Sequence, residues 1–166
     1  MTRMFPDQNP ARTEGRRPRA LVSGVASDSH TWNLVYLQLV CEEEGLDVVN
    51  LGPCVPDELL VSECVDQRPD LVVLSTVNGH GYREGLRVVP KLRARPELAG
   101  VPIVMGGRLG VNGRREDDLA SRLEAAGCDR VFDRGGPEDI DEFRTLAAAL
   151  TWKTDGAAAR TPVRSG

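Results

Sequence analysis

The sequence predicts an α/β domain in which five parallel strands are wound on both faces by helices, and two patterns carry that prediction. Short apolar runs alternate five times with stretches whose apolar residues recur at helical spacing. The third run, Leu71-Val72-Val73-Leu74, is continuously apolar, as a central parallel strand covered on both faces requires. A length of 166 residues fits one such domain with a single core.

The elements follow in order. Residues 1–18 hold Pro6, Pro10, Pro18 and several arginines without apolar periodicity, so they read as a disordered tail. The domain is expected over 19–152, beginning with a strand at 19–26 that contains Val22 and Val25. A helix is predicted over 31–44 from Leu34, Leu37, Val40 and Cys41, with Gly45 at its C-terminal cap. A second strand at 46–51 and a helix at 56–67 follow, the latter carrying Leu59, Leu60 and Cys64. After the third strand a helix is expected over 85–98, with Pro90 as a kink or break. The fourth strand is placed at 101–105 and its helix at 117–126, closed by Gly127. A short strand at 130–132 and a helix at 137–150 complete the pattern, Pro137 suiting a first helical turn. Residues 153–166 are rich in Gly, Ala, Arg and Pro and read as a second disordered tail.

Five tight βα units imply right-handed crossovers. The expected result is a flavodoxin-like doubly wound sheet of order 2-1-3-4-5, although alternation alone leaves a Rossmann-type order open. Either arrangement puts a ligand at the carboxyl ends of the strands, near the switch point between the first and third.

Composition excludes several functions. Apolar residues make up 40% and charged residues 28%, which describes a soluble globular chain and neither a disordered nor a membrane one. A net charge of -4 argues against a general binder of nucleic-acid phosphates. No secretory signal or membrane span is seen, so cytoplasmic residence is expected. Cys41, Cys54, Cys64 and Cys128 lack zinc spacing and read as reduced, small hydrophobic residues.

Three polar or glycine-rich loops should converge at the switch point. They are Ser27-Asp28-Ser29-His30-Thr31-Trp32-Asn33, Ser75-Thr76-Val77-Asn78-Gly79-His80-Gly81 and Gly106-Gly107-Arg108-Leu109-Gly110. A histidine two residues after an aspartate can offer one ring nitrogen to a metal while the other donates to the carboxylate. A single protein ligand suffices only where a macrocycle supplies the rest, as in haem or cobalamin. The bland alternative is that Asp28 caps the first helix and His30 is merely exposed. His80 and Arg108 read as solvated loop residues, and Trp32 either as core or as a cover for a ligand. A phosphoacceptor receiver needs an acidic cluster and a lysine after the fifth strand, which are missing here. A flavodoxin would need a hydroxyl-rich phosphate loop after the first strand.

Taken together, the three loops resemble cobalamin (B12)-binding domains, most closely the small subunit of glutamate mutase (methylaspartate mutase). That pattern is D-x-H-x-x-G, then S-x-L, then G-G, and Asp28-Ser29-His30, Ser75-Thr76-Val77 and Gly106-Gly107 fall on it. The likeness extends to 45–52 (GLDVVNLG) and 70–81 (DLVVLSTVNGHG), and covers about residues 19–150. Two positions depart: Asn33 replaces the motif glycine, and Val77 the leucine.

The resemblance implies a cofactor, adenosylcobalamin, with His30 as lower ligand to cobalt and Asp28 bonded to its far nitrogen. It implies that Ser75 and its neighbours line a pocket for the displaced nucleotide tail, and that Gly106-Gly107 leave that tail room. Ser29, Thr31, Asn33, Val77 and Gly79 complete the expected cofactor contacts. It further implies a mutase subunit, an isomerase component, inactive without a separate large catalytic subunit of TIM-barrel type. Corrinoid carriers resemble one another in a preceding helical domain, and regulatory relatives in a DNA-binding domain; neither is seen here. A non-catalytic corrinoid carrier or accessory protein, or a diverged domain kept for partner binding, is the alternative.

Overall fold

The computed structural model describes residues 16–107, 116–133 and 136–158. The ten elements are β1 (Arg19–Gly24), α1 (Trp32–Glu43), β2 (Asp47–Asn50), α2 (Asp57–Gln67), β3 (Leu71–Thr76), α3 (Gly81–Arg93), β4 (Ile103–Gly107), α4 (Glu116–Ala126), β5 (Arg130–Phe132) and α5 (Pro137–Ala158). The five strands form one sheet of order β2-β1-β3-β4-β5, and every pairing is parallel. The flavodoxin-like order expected from the sequence is the one observed.

Side-chain alternation along the strands divides the core in two. Leu21, Val72, Leu74, Ile103 and Met105 face α2, α3 and α4, where they meet Leu60, Cys64, Val88, Leu92 and Leu123. Ala20, Val22, Leu71, Val73 and Val104 face α1 and α5, where they meet Leu34, Val40, Phe143 and Ala147. All six residues of β3 are buried, which is why its sequence can be apolar without alternation.

The third helix differs from the expectation of 85–98. It begins at Gly81 and ends at Arg93, and a separate 3₁₀ turn covers Pro96–Leu98. The stop is set by Pro96 rather than Pro90, because the residue before a proline is driven out of helical backbone. Arg95 accordingly sits at φ -85° and ψ 121°. The helix starts earlier, its first turn closed by the Glu84 amide donating to the His80 carbonyl at 3.3 Å, and a Cβ at Gly85 would stand 2.6 Å from Met105 Sδ and 2.7 Å from Leu123 Cδ2. This glycine permits helix-to-sheet contact and does not break the helix. Helix α5 runs through Ala158, past the expected end at residue 150, so residues 153–158 of the expected tail are helical. Residues 1–15 and 159–166 of the two expected tails lie outside the described residues.

Cys41, Cys64 and Cys128 are buried free thiols, and burial pushes each up to about 12. Cys54 departs from the core reading: it is exposed, on a turn with φ 52°. Among the described residues no helix is long and apolar enough to cross a membrane.

Candidate functional site

Strands β1 and β3 lie side by side, with Gly24 paired to Ser75, so the loops that follow them emerge together. Asp28 lies in the first of these loops and is 1% exposed. Its two carboxylate oxygens divide the work of joining the loops. Oδ1 accepts from His30 Nδ1 at 2.7 Å and from the His30 amide at 3.0 Å. Oδ2 accepts from the Thr76 hydroxyl at 2.7 Å and from the amides of Val77 at 2.7 Å and Asn78 at 3.3 Å. Burial pushes the Asp28 carboxyl upward, but donation from the His30 amide, the Thr76 hydroxyl and the Val77 amide outweighs it. The group is held well below the ordinary carboxylate value.

Asp28 therefore does not cap α1; Thr31 occupies that position, its carbonyl accepting from the Leu34 and Val35 amides. With Asp28 anionic, the hydrogen-bond network assigns the proton of the His30 ring to Nδ1. Nε2 is left with a lone pair and no protein partner among the described residues, on a side chain that is 49% exposed. The loop is also pinned from outside by Glu84 on α3, which accepts from the Ser27 amide at 2.9 Å and the Ser27 hydroxyl at 2.7 Å. Asn78 Nδ2 donates to the same hydroxyl at 2.9 Å.

Beside this loop lies a cavity of about 290 Å³, between α1 and α5 and over the ends of β3 and β4. Asn33, Ser75, Val77, Gly106 and Gly107 all line it, so five of the sequence-predicted site residues share one wall. Asn33 is 6% exposed, and its Nδ2 donates to Ser75 Oγ at 2.8 Å. The other end of the amide, Oδ1, is buried without a partner among the described residues. Ile140 and Phe143 on α5, with Phe132 beside Gly106 at the end of β5, supply much of the apolar surface.

The structure gives the glycine pair a second reason to be glycine. Gly107 has φ 103°, and a Cβ there would collide with the Thr76 carbonyl. A Cβ on Gly106 would meet the Phe132 carbonyl at 3.1 Å. The neighbouring strand alone thus excludes a larger residue at Gly107 and leaves little room for one at Gly106.

The remaining expected residues divide. Ser29, Thr31 and His80 are exposed, while Gly79 is buried at φ 82°. Trp32 is 66% exposed, which excludes its reading as core, and it lines the cavity with Tyr36. Arg108 lies outside the described residues. Sequence reasoning gave no role to Thr76, Asn78 and Glu84, whose polar side chains look ordinary until the loops meet. The α5 wall carried a signal, because Ile140, Phe143 and Ala147 recur at helical spacing.

The donor set suits a metal that brings most of its own ligands. Among the described residues no three His, Cys, Asp or Glu side chains are grouped as a protein-only site. One imidazole backed by a carboxylate, next to an apolar cavity, fits a macrocycle-held metal with an appended tail.

The chain is similar to B12-binding proteins. The glutamate mutase sigma subunit of Clostridium cochlearium is 28% identical over 125 residues, covering 74% of this chain and 89% of that one. The HTH-type transcriptional repressor CarA of Myxococcus xanthus is 36% identical over 91 residues, covering 54% of this chain and 31% of that one. A crystal structure of a novel cobalamin-binding protein from Desulfitobacterium hafniense DCB-2 superposes with a TM-score of 0.65 at 21% identity. That superposition covers 81% of this chain but only 60% of the other, and shows a shared fold. The model of the family described as B12 binding domain matches residues 18–121, more than half of the sequence. The chain belongs to the B12-binding domain family.

Proposed function

We propose that this chain is the cobalamin-binding small subunit of an adenosylcobalamin-dependent carbon-skeleton mutase of the glutamate (methylaspartate) mutase kind. The observation that carries the reading is the Asp28–His30 pair, hydrogen-bonded at 2.7 Å with Nε2 open, beside a mostly apolar cavity at the switch point. The sigma-subunit relative supports the mutase class.

His30 Nε2 would hold the cobalt, and Asp28 orients the ring and keeps its tautomeric proton on Nδ1. Thr76 and the amides of Val77 and Asn78 hold Asp28 anionic, so the ligand is set before the cofactor arrives. Asn33, Ser75, Val77 and the Gly106-Gly107 backbone line the compartment for the nucleotide tail, and Phe132 and Phe143 exclude water from it. When bound, adenosylcobalamin would supply the radical chemistry that a carbon-skeleton rearrangement needs. The substrate site lies on a separate large subunit of TIM-barrel type. Trp32, Val35, Tyr36 and Leu39, an exposed apolar stripe along α1 next to the cavity, are a surface of the kind a partner covers.

The repressor relative favours a second reading, a non-catalytic B12-binding module that acts through a partner. Titration with adenosylcobalamin tests the shared core of both. A base-off, histidine-ligated visible spectrum is expected, and His30→Ala should abolish it. Its absence, or its persistence in His30→Ala, overturns the assignment. Conversion of glutamate to 3-methylaspartate on adding a large subunit then separates mutase from module.

A further inference from the structure

The Asn33 amide is the feature of the cavity that its own fold does not complete. Nδ2 is held by Ser75, but Oδ1 is buried in a wall that is otherwise mostly apolar and has no donor opposite it among the described residues. Asp139, another polar residue on the lining, is already engaged elsewhere. An acceptor shut away from water stays disfavoured until a donor reaches it. The ligand expected there carries a variable group, the heterocyclic base that ends the corrinoid nucleotide tail. Dimethylbenzimidazole presents methyl and C–H edges and one acceptor nitrogen, with no donor once glycosylated. Adenine presents an exocyclic amino group, and an asparagine amide pairs well with an adenine edge.

We propose that Asn33 is a specificity-determining residue that selects corrinoids by their tail base, favouring a purine with an amino donor over dimethylbenzimidazole. The inference rests on the cobalamin reading above and adds which corrinoid the site takes. A site built to hydrogen-bond a ligand group discriminates by leaving its own polar atom unpaired with the wrong ligand.

Equilibrium dialysis of the full chain tests it with three adenosyl corrinoids: adenosylcobalamin, its analogue with adenine as tail base, and adenosylcobinamide, which has no tail base. Asn33→Leu removes the amide at similar volume, Asn33→Gly removes it with its volume, and circular dichroism checks that both fold. Each base holds cobalt differently in free solution, but that difference is the same for every variant. The ratio of the two tailed affinities, compared between wild type and variants, therefore isolates Asn33. The preference for the adenine tail should fall by about tenfold in both variants, the size of one buried hydrogen bond. Cobinamide affinity should stay unchanged. Ratios within about twofold of wild type in both variants, with cobinamide still bound, overturn this proposal alone. No binding of any of the three to wild type overturns the cobalamin reading and this proposal with it.

Discussion

The loop that carries His30 and the cavity that begins two residues later are built on opposite terms. Five donors converge on the two oxygens of Asp28, from the loops after β1 and β3. That half is finished without a ligand, and among the described residues it leaves His30 Nε2 without a protein partner. The cavity half keeps a buried amide oxygen without a protein partner among the described residues, beside a space of about 290 Å³. The contrast separates what must be rigid from what must accept. On the proposed reading, a metal ligand works through fixed orientation and tautomer, which the chain can settle alone, whereas a tail compartment would complete its bonding only with its guest.

Asp28→Asn breaks the contrast most severely. An amide offers one oxygen where the carboxylate offered two, and places an NH₂ against donors on the other side. The Thr76 hydroxyl can rotate, but the backbone amides of His30 and Val77 cannot, so either amide orientation sets N–H against N–H. The expected loss is about 3 kcal/mol of unfolding free energy, read from urea midpoints at pH 7. A loss below about 1 kcal/mol would mean that the carboxylate does not hold the loops together.

Most of the fold was legible because it is written in local periodicity. The buried run at 71–74 named the central strand, and helical spacing placed α1 within a residue at each end. The α3 boundaries were misplaced because its first turn at Gly81 reads as part of a glycine-rich loop, and because its end before Pro96 was overrun to residue 98. In the site, Asp28, His30, Ser75 and Gly106-Gly107 were legible through their motif. Thr76 and Glu84 were not, since their bonds join residues 48 and 57 positions apart. Asn33 was legible only as a departure from a glycine; that it would bond Ser75, 42 positions away, follows from the β1–β3 pairing alone.

Asp57 sharpens the comparison, because it too is a buried carboxylate but is held by cations. Arg87 donates to it through Nε at 2.6 Å and Nη2 at 3.0 Å, and Lys91 Nζ lies 3.0 Å away. The Arg87 guanidinium bonded to it holds its carboxyl below the usual range, against the opposing effect of burial, and Lys91 adds to this. A carboxyl lowered in the folded state stabilises the fold above its unfolded value, about 4, and that contribution is lost as pH falls. Both cations are half-exposed and screened, so Asp57→Asn should cost only about 1–2 kcal/mol at pH 7. The difference from wild type should shrink progressively below about pH 4. A difference that stays constant across that range would show that geometry rather than charge holds α2 to α3.

The smallest effect has the opposite sign. If the cavity half is incomplete because it waits for a guest, removing its unpaired amide should relieve the ligand-free protein. Asn33→Leu keeps the volume, deletes the orphaned oxygen and adds apolar contact with the cavity wall. It also deprives Ser75 Oγ of its partner, which offsets part of the gain, though a hydroxyl at a strand end can turn to a nearby carbonyl. The net expectation is a gain of up to about 1 kcal/mol in urea unfolding without ligand. Ser75→Ala supplies the complementary case: it leaves the Asn33 amide unpaired at both ends and should destabilise by about 1 kcal/mol. If instead Asn33→Leu destabilises as much as Ser75→Ala, the amide is holding α1 to β3. The two halves of the site would then be equally complete without their ligand.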